Sequence, residues 1–104
     1  MVVIEALEYR LHRGKRSNLS FYRDSNGNEV DLLVGLGPDF FPVEIKAGMT
    51  INRDYFKGLQ HISQLFPLTH GRGLIYGGSE RQERTDTAIY PALLAHELFA
   101  RLQE

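Results

Sequence analysis

Hydrophobic and polar positions follow two different periods along this chain. Val3, Leu7 and Leu11 recur every four residues, with Glu8 and His12 off that face. This predicts a helix over 2–13, stopped by Gly14. Residues 19–23 suit a strand, 24–28 (Asp-Ser-Asn-Gly-Asn) a tight turn, and 29–34 the returning strand of a β-hairpin. Glycines and Pro38 break the chain at 35–39, and 41–47 predicts a third strand, so the first three strands form an antiparallel meander. After a loop at 48–52, residues 53–66 predict a second helix with Phe56, Leu59, Ile62 or Ser63, and Phe66 on one side, ended by Pro67. Leu74-Ile75-Tyr76 lies between glycines and predicts a buried strand within 72–77. Residues 79–85 are polar and read as a loop, 87–90 as a short strand. Pro91 opens a last helix through Leu102, with Leu94, Leu98 and Leu102 as its stripe. The order α-β-β-β-α-β-(β)-α is an α/β fold with a mixed sheet.

A length of 104 residues predicts one domain, 1–104. The first helix starts on an apolar stretch with no capping Ser, Thr, Asp or Asn, which suggests a chain that begins partway into a longer helix. No apolar run is long enough to cross a bilayer, and Glu5 interrupts the opening apolar run, so neither a membrane span nor a signal peptide is expected. The absence of cysteine excludes disulfides and thiolate metal sites, and makes the cytoplasm the default location. Twelve Lys and Arg against thirteen Asp and Glu give a net charge of −1, so the domain as a whole is no strong polyanion binder. The charge is uneven, however. Arg10, Arg13, Lys15, Arg16 and Arg23 crowd the first quarter of the chain. They form either a phosphate-contacting patch or a solvated helix end.

Two segments carry the candidate chemistry: residues 27–34 (Gly-Asn-Glu-Val-Asp-Leu-Leu-Val) and 41–47 (Phe-Pro-Val-Glu-Ile-Lys-Ala). Side chains alternate along a strand. Val30, Leu32 and Val34 are therefore expected on one face, with Glu29 and Asp31 on the other. In the third strand Val43 and Ile45 oppose Glu44 and Lys46. If the strands pair, Asp31 and Glu44 become cross-strand neighbours about 5 Å apart. Two adjacent carboxylates repel, and a hard divalent cation such as Mg2+ or Mn2+ relieves that conflict. Lys46 would orient water or stabilise charge on phosphorus. The plainer alternative is a solvated sheet face with cross-strand ion pairs. His12, His61, His70 and His96 are scattered without metal spacing. Tyr22, Phe40, Phe41, Tyr55 and Phe56 could stack on bases, but core packing accounts for them equally simply.

The runs at 21–33 (FYRDSNGNEVDLL), 42–48 (PVEIKAG) and 55–59 (YFKGL) resemble the uncharacterised C-terminal domain of prokaryotic AAA-type ATPases, itself similar to PD-(D/E)XK nucleases and archaeal Holliday-junction resolvases. The resemblance implies a restriction-endonuclease-like core. It makes Asp31, Glu44 and Lys46 catalytic, and Asp31, Glu44 and the Ile45 carbonyl metal ligands. Glu29 matches an acidic residue that often precedes the aspartate. Such nucleases usually carry a glutamate on the first helix. In the full-length ATPase family the resemblance places a Phe-Glu motif just before the point where this chain starts; Glu5 is a nearby acidic residue but does not match that motif. Gln60 shares a helix face with Gln64 and is a possible accessory residue. Arg13, Lys15, Arg16 and Arg23 would meet nucleic acid. No Walker segment is present, so the chain is not expected to bind ATP by itself and reads as a detached or truncated C-terminal domain of a larger ATPase. Two functions are therefore expected: a metal-dependent nuclease domain acting on phosphodiesters, or an inactive nuclease-fold module that docks nucleic acid or protein for the ATPase. Self-association through the first helix is a third possibility.

Overall fold

The computed structural model describes residues 19–84 and 86–102. The predicted first helix lies outside them, and with it the expectations for Glu5, Arg10, Arg13, Lys15, Arg16 and self-association.

Asp24 and Gly27 make the first turn. The Asp24 carboxylate accepts the Asn26 and Asn28 amides at 2.9 and 3.1 Å, and Gly27 takes φ +86°. The turn joins β1 (Leu19–Arg23) to β2 (Glu29–Leu36). Strand β2 runs on through Leu36, which pairs with Asp39 at the start of β3 (Asp39–Ile45). The expected five-residue break thus shrinks to Gly37-Pro38. Gly37 supplies a φ of +65°, and Pro38 has the negative φ that the second turn position needs.

Beyond β3, Asn52 caps a 3₁₀ turn (Arg53–Phe56) by accepting the Asp54 amide at 2.9 Å, and α1 (Lys57–Leu65) follows. Strand β4 (Arg72–Tyr76) pairs parallel to β3, and β6 (Thr87–Pro91) parallel to β4. Strand β5 (Gln82–Arg84) is antiparallel to β6 at the sheet edge. Residues 82–84 were expected to be loop. Their polar side chains carry no burial signal, because an edge strand needs only one partner. A 3₁₀ turn (Ala92–Leu94) then leads into α2 (Ala95–Arg101). Pro91 ends β6 and precedes the helical turn rather than opening it.

The result is one six-stranded mixed sheet, β1-β2-β3-β4-β6-β5, with a helix against each face. On one face α1 places Leu59 and Ile62 on Val30, Leu33 and Phe40. On the other, α2 places Ala95, Leu98 and Phe99 on Leu32, Val34, Phe41, Val43, Ile75 and Tyr90. The expected stripe shifts accordingly: Leu94 and Leu102 are only partly buried, while Ala95 and Phe99 join Leu98 in the core. Strands β4 and β6 are buried on both sides, which accounts for their continuous apolar runs. No helix among the described residues is long and apolar enough to cross a membrane.

Strand β2 departs from simple alternation. Ser20 pairs with Leu33 and Tyr22 with Val30, so Asp31 and Leu32 together face Phe21. This β-bulge sends Val30 to the α1 side and Leu32 and Val34 to the α2 side. The expectation that all three share a face is corrected by that one extra residue.

Candidate active site at the ends of two strands

The bulge lies at the candidate site. One step beyond the last β2–β3 ladder pair, Leu32 with Val43, Asp31 comes opposite Glu44. There side chains replace the backbone ladder. The Asp31 amide donates to Glu44 Oε1 at 3.0 Å, and the Ile45 amide donates to Asp31 Oδ2 at 2.8 Å. Lys46 Nζ lies 3.4 Å from Glu44 Oε2. The Lys46 backbone continues the parallel ladder, donating to the Ile75 carbonyl at 2.8 Å.

The two carboxylates sit in different surroundings. Asp31 is exposed, whereas Glu44 is only 3% exposed. Alternation along β3 turns Val43 toward α2 and Glu44 toward α1. Gly58 of α1 lies directly over it. A β-carbon at Gly58 would collide with the Glu29 carbonyl oxygen and come within 3.3 Å of Glu44 Oε2. The solvated-face alternative therefore fails for Glu44. Burial pushes its carboxyl above the ordinary value of 4.5. The Asp31 amide and Lys46 oppose that rise, and the Asp31 charge adds to it.

The other sequence candidates separate. Glu29 pairs with Arg23 at 3.4 Å on the outer ladder of the hairpin. Arg23 is exposed, and its guanidinium lies over the Phe21 ring at 5.5 Å. Gln60 is exposed and two residues from Gly58, about 200° around the helix, so it does not share the Gly58 face. Of the candidate aromatics, Phe41 is core, and Tyr22, Phe40, Tyr55 and Phe56 pack against buried clusters. Among the described residues, no three His, Cys, Asp or Glu side chains gather as a metal cluster.

Sequence reasoning missed the support around the site. Asp24 is a hub. It accepts from the Tyr22 hydroxyl at 3.0 Å and approaches His61 Nε2 of α1 at 3.1 Å, in addition to its turn amides. Burial raises its carboxyl, but the hydrogen bonds from Asn28, Tyr22 and Asn26 overcome that and hold it at about 2. The hairpin turn is thus tied to α1 beside Gly58. A glycine within a helical pattern was the available signal, since it marks a close approach when it does not mark an end.

The fold and its two-strand acidic corner define a small mixed α/β domain with an Asp–Glu–Lys constellation. A family model described as a domain of unknown function, DUF4143, matches residues 1–94, and the chain belongs to that family. Comparison with curated proteins and with solved structures gave no match.

Proposed function

We propose that this domain is a PD-(D/E)XK-type nuclease that hydrolyses nucleic-acid phosphodiesters with a divalent cation and works attached to an AAA-type ATPase. The observation that carries the reading is the opposed pair Asp31 and Glu44, with Lys46 3.4 Å from the buried carboxylate. The donor chemistry fits Mg2+ or Mn2+, which take one or two carboxylates and complete their shell with water and phosphate oxygens. Each carboxylate spends one oxygen on a backbone amide; Asp31 Oδ1 and Glu44 Oε2, the latter shared with Lys46 Nζ at 3.4 Å, would be the side-chain ligands, with the Ile45 carbonyl as a third. A bound cation would lower the pKa of its water and polarise the phosphodiester.

The protein's own part is positional. The amide bonds fix both carboxylates before substrate arrives, so little reorganisation remains. Lys46, about one-third exposed, holds the attacking water or the charge that builds on the phosphoryl oxygens. The bond that forms joins water oxygen to phosphorus; the bond that breaks releases a sugar oxygen, which takes up a proton.

One feature favours the second reading, a docking module without catalysis. Asp31, Glu44 and Lys46 already satisfy one another. Nicking of plasmid DNA in Mn2+ separates the two readings. Asp31→Ala and Lys46→Ala should each abolish metal-dependent nicking while the circular dichroism spectrum stays native. Wild-type nicking that both variants retain would end the assignment, and a wild type that neither nicks nor binds Mn2+ would leave the docking module.

A further inference from the structure

Phe21 is the exception among the aromatic residues of this hairpin. Tyr22 next to it packs toward α1, but Phe21 is 65% exposed. The bulge places it opposite Asp31 and Leu32. Phe21, Arg23, Glu29 and Asp31 line one shallow hollow of about 170 Å³. Within it the Arg23 guanidinium lies 5.5 Å from the Phe21 ring centroid, and Glu29 anchors Arg23 at 3.4 Å. An aromatic ring and an anchored guanidinium thus border the exposed carboxylate of the candidate site.

That combination suits an unpaired nucleotide. A base offers a π-face to Phe21 whatever its sequence, and an arginine beside the ring can stack on the base or meet its phosphate. A base inside a duplex is already stacked and cannot use the ring without leaving the helix. Resting on the nuclease reading above, we propose that Phe21 and Arg23 form a stacking platform for an unpaired base next to the scissile phosphate, so that the substrate is single-stranded nucleic acid rather than uninterrupted duplex.

The test uses the full chain and a 2-aminopurine-labelled oligonucleotide, single-stranded or annealed as blunt duplex, at one fixed salt concentration. Binding is read in EDTA and cleavage in Mn2+. The wild type should bind the single strand more tightly and quench the 2-aminopurine. Phe21→Ala should weaken that binding roughly 5- to 150-fold, the range expected for loss of one stacked base. Phe21→Trp should restore both binding and quenching. Equal binding of single strand and duplex, or unchanged single-strand affinity in Phe21→Ala, would overturn the platform. So would a Phe21→Ala variant that melts far below wild type without losing affinity, since Phe21 would then be a packing residue. Loss of binding in Phe21→Ala without any Asp31-dependent cleavage would uphold the platform and remove the nuclease. Asp31-dependent cleavage untouched by Phe21→Ala would remove the platform alone.

Discussion

Glu44 combines burial with charge, and each has a measurable consequence. Its raised carboxyl pKa means that the folded state binds this proton more tightly than the unfolded chain does. The associated cost is absent below the ordinary carboxylate value of 4.5 and grows as pH rises through the folded value. Glu44→Gln keeps an oxygen for the Asp31 amide and removes the charge. It should raise the melting temperature at pH 7, by about 1–3 kcal/mol of stability, and the gain should vanish near pH 4. Melts at the two pH values check this. Lys46→Ala should act oppositely, costing about 1–2 kcal/mol at pH 7, because the buried carboxylate loses its counter-charge while the exposure of Lys46 keeps the loss small. Asp24 has the reverse sign. Its pKa is depressed to about 2 from 3.8, so its contribution is complete above pH 3.8 and is lost as pH falls toward 2. In urea titrations at pH 5, 3 and 2, wild type should lose its advantage over Asp24→Asn as pH drops. The acids themselves were legible in the sequence, because Glu-x-Lys in an apolar strand after an acidic hairpin is a pattern. The burial of Glu44 was not, since strand alternation does not reveal which face a helix covers.

Helix α1 reaches the sheet through Gly58, and this contact tests how the site is built. An exposed Gly→Ala change inside a helix usually gains about 1 kcal/mol from propensity. Here the new methyl group would strike the Glu29 carbonyl and crowd Glu44. Gly58→Ala should therefore lose about 1–3 kcal/mol, as overpacking does, and the deficit should appear in the denaturation midpoint without a change in slope. A gain would mean that α1 lies further from β2. The elements themselves followed from periodicity: the hairpin, the Glu-x-Lys strand, α1, β4 and the last helix. Strand β5 did not, because Gln82, Glu83 and Arg84 pair only with β6 and none is buried. The bulge did not either, since one extra residue in β2 looks like ordinary alternation until the partner strand is placed.

Sheet topology brings the candidate acids together from two neighbouring strands, so a metal bound at the proposed site would be linked to folding across the molecule. A ligand that binds only the folded state adds about 1.4 kcal/mol at ten times its dissociation constant. For a domain of 104 residues this corresponds to a rise of roughly 5–10 °C in melting temperature. Thermal melts in millimolar Mn2+ should show that rise for wild type and none for Asp31→Ala. An unmoved wild type would remove the metal and favour a docking role. The α/β class and mixed sheet were readable from element order alone. The sharing of the core between two layers was not, because it depends on which side of β2 each apolar residue serves.

That division gives the hairpin an asymmetric tolerance to length change. Val30 serves the α1 layer and Leu32 the α2 layer because β2 carries one surplus residue opposite Phe21. Deleting one residue at 31–32 would restore regular pairing with β1 and leave Val30 and Leu33 on the α1 side; the candidate site would suffer instead, since Asp31 would be lost or would take the place of Leu32 in the α2 layer. Lengthening the hairpin tip, by contrast, would leave the apolar residues of both layers in place and act only on the bonds that Asp24 makes to Asn26, Asn28 and His61.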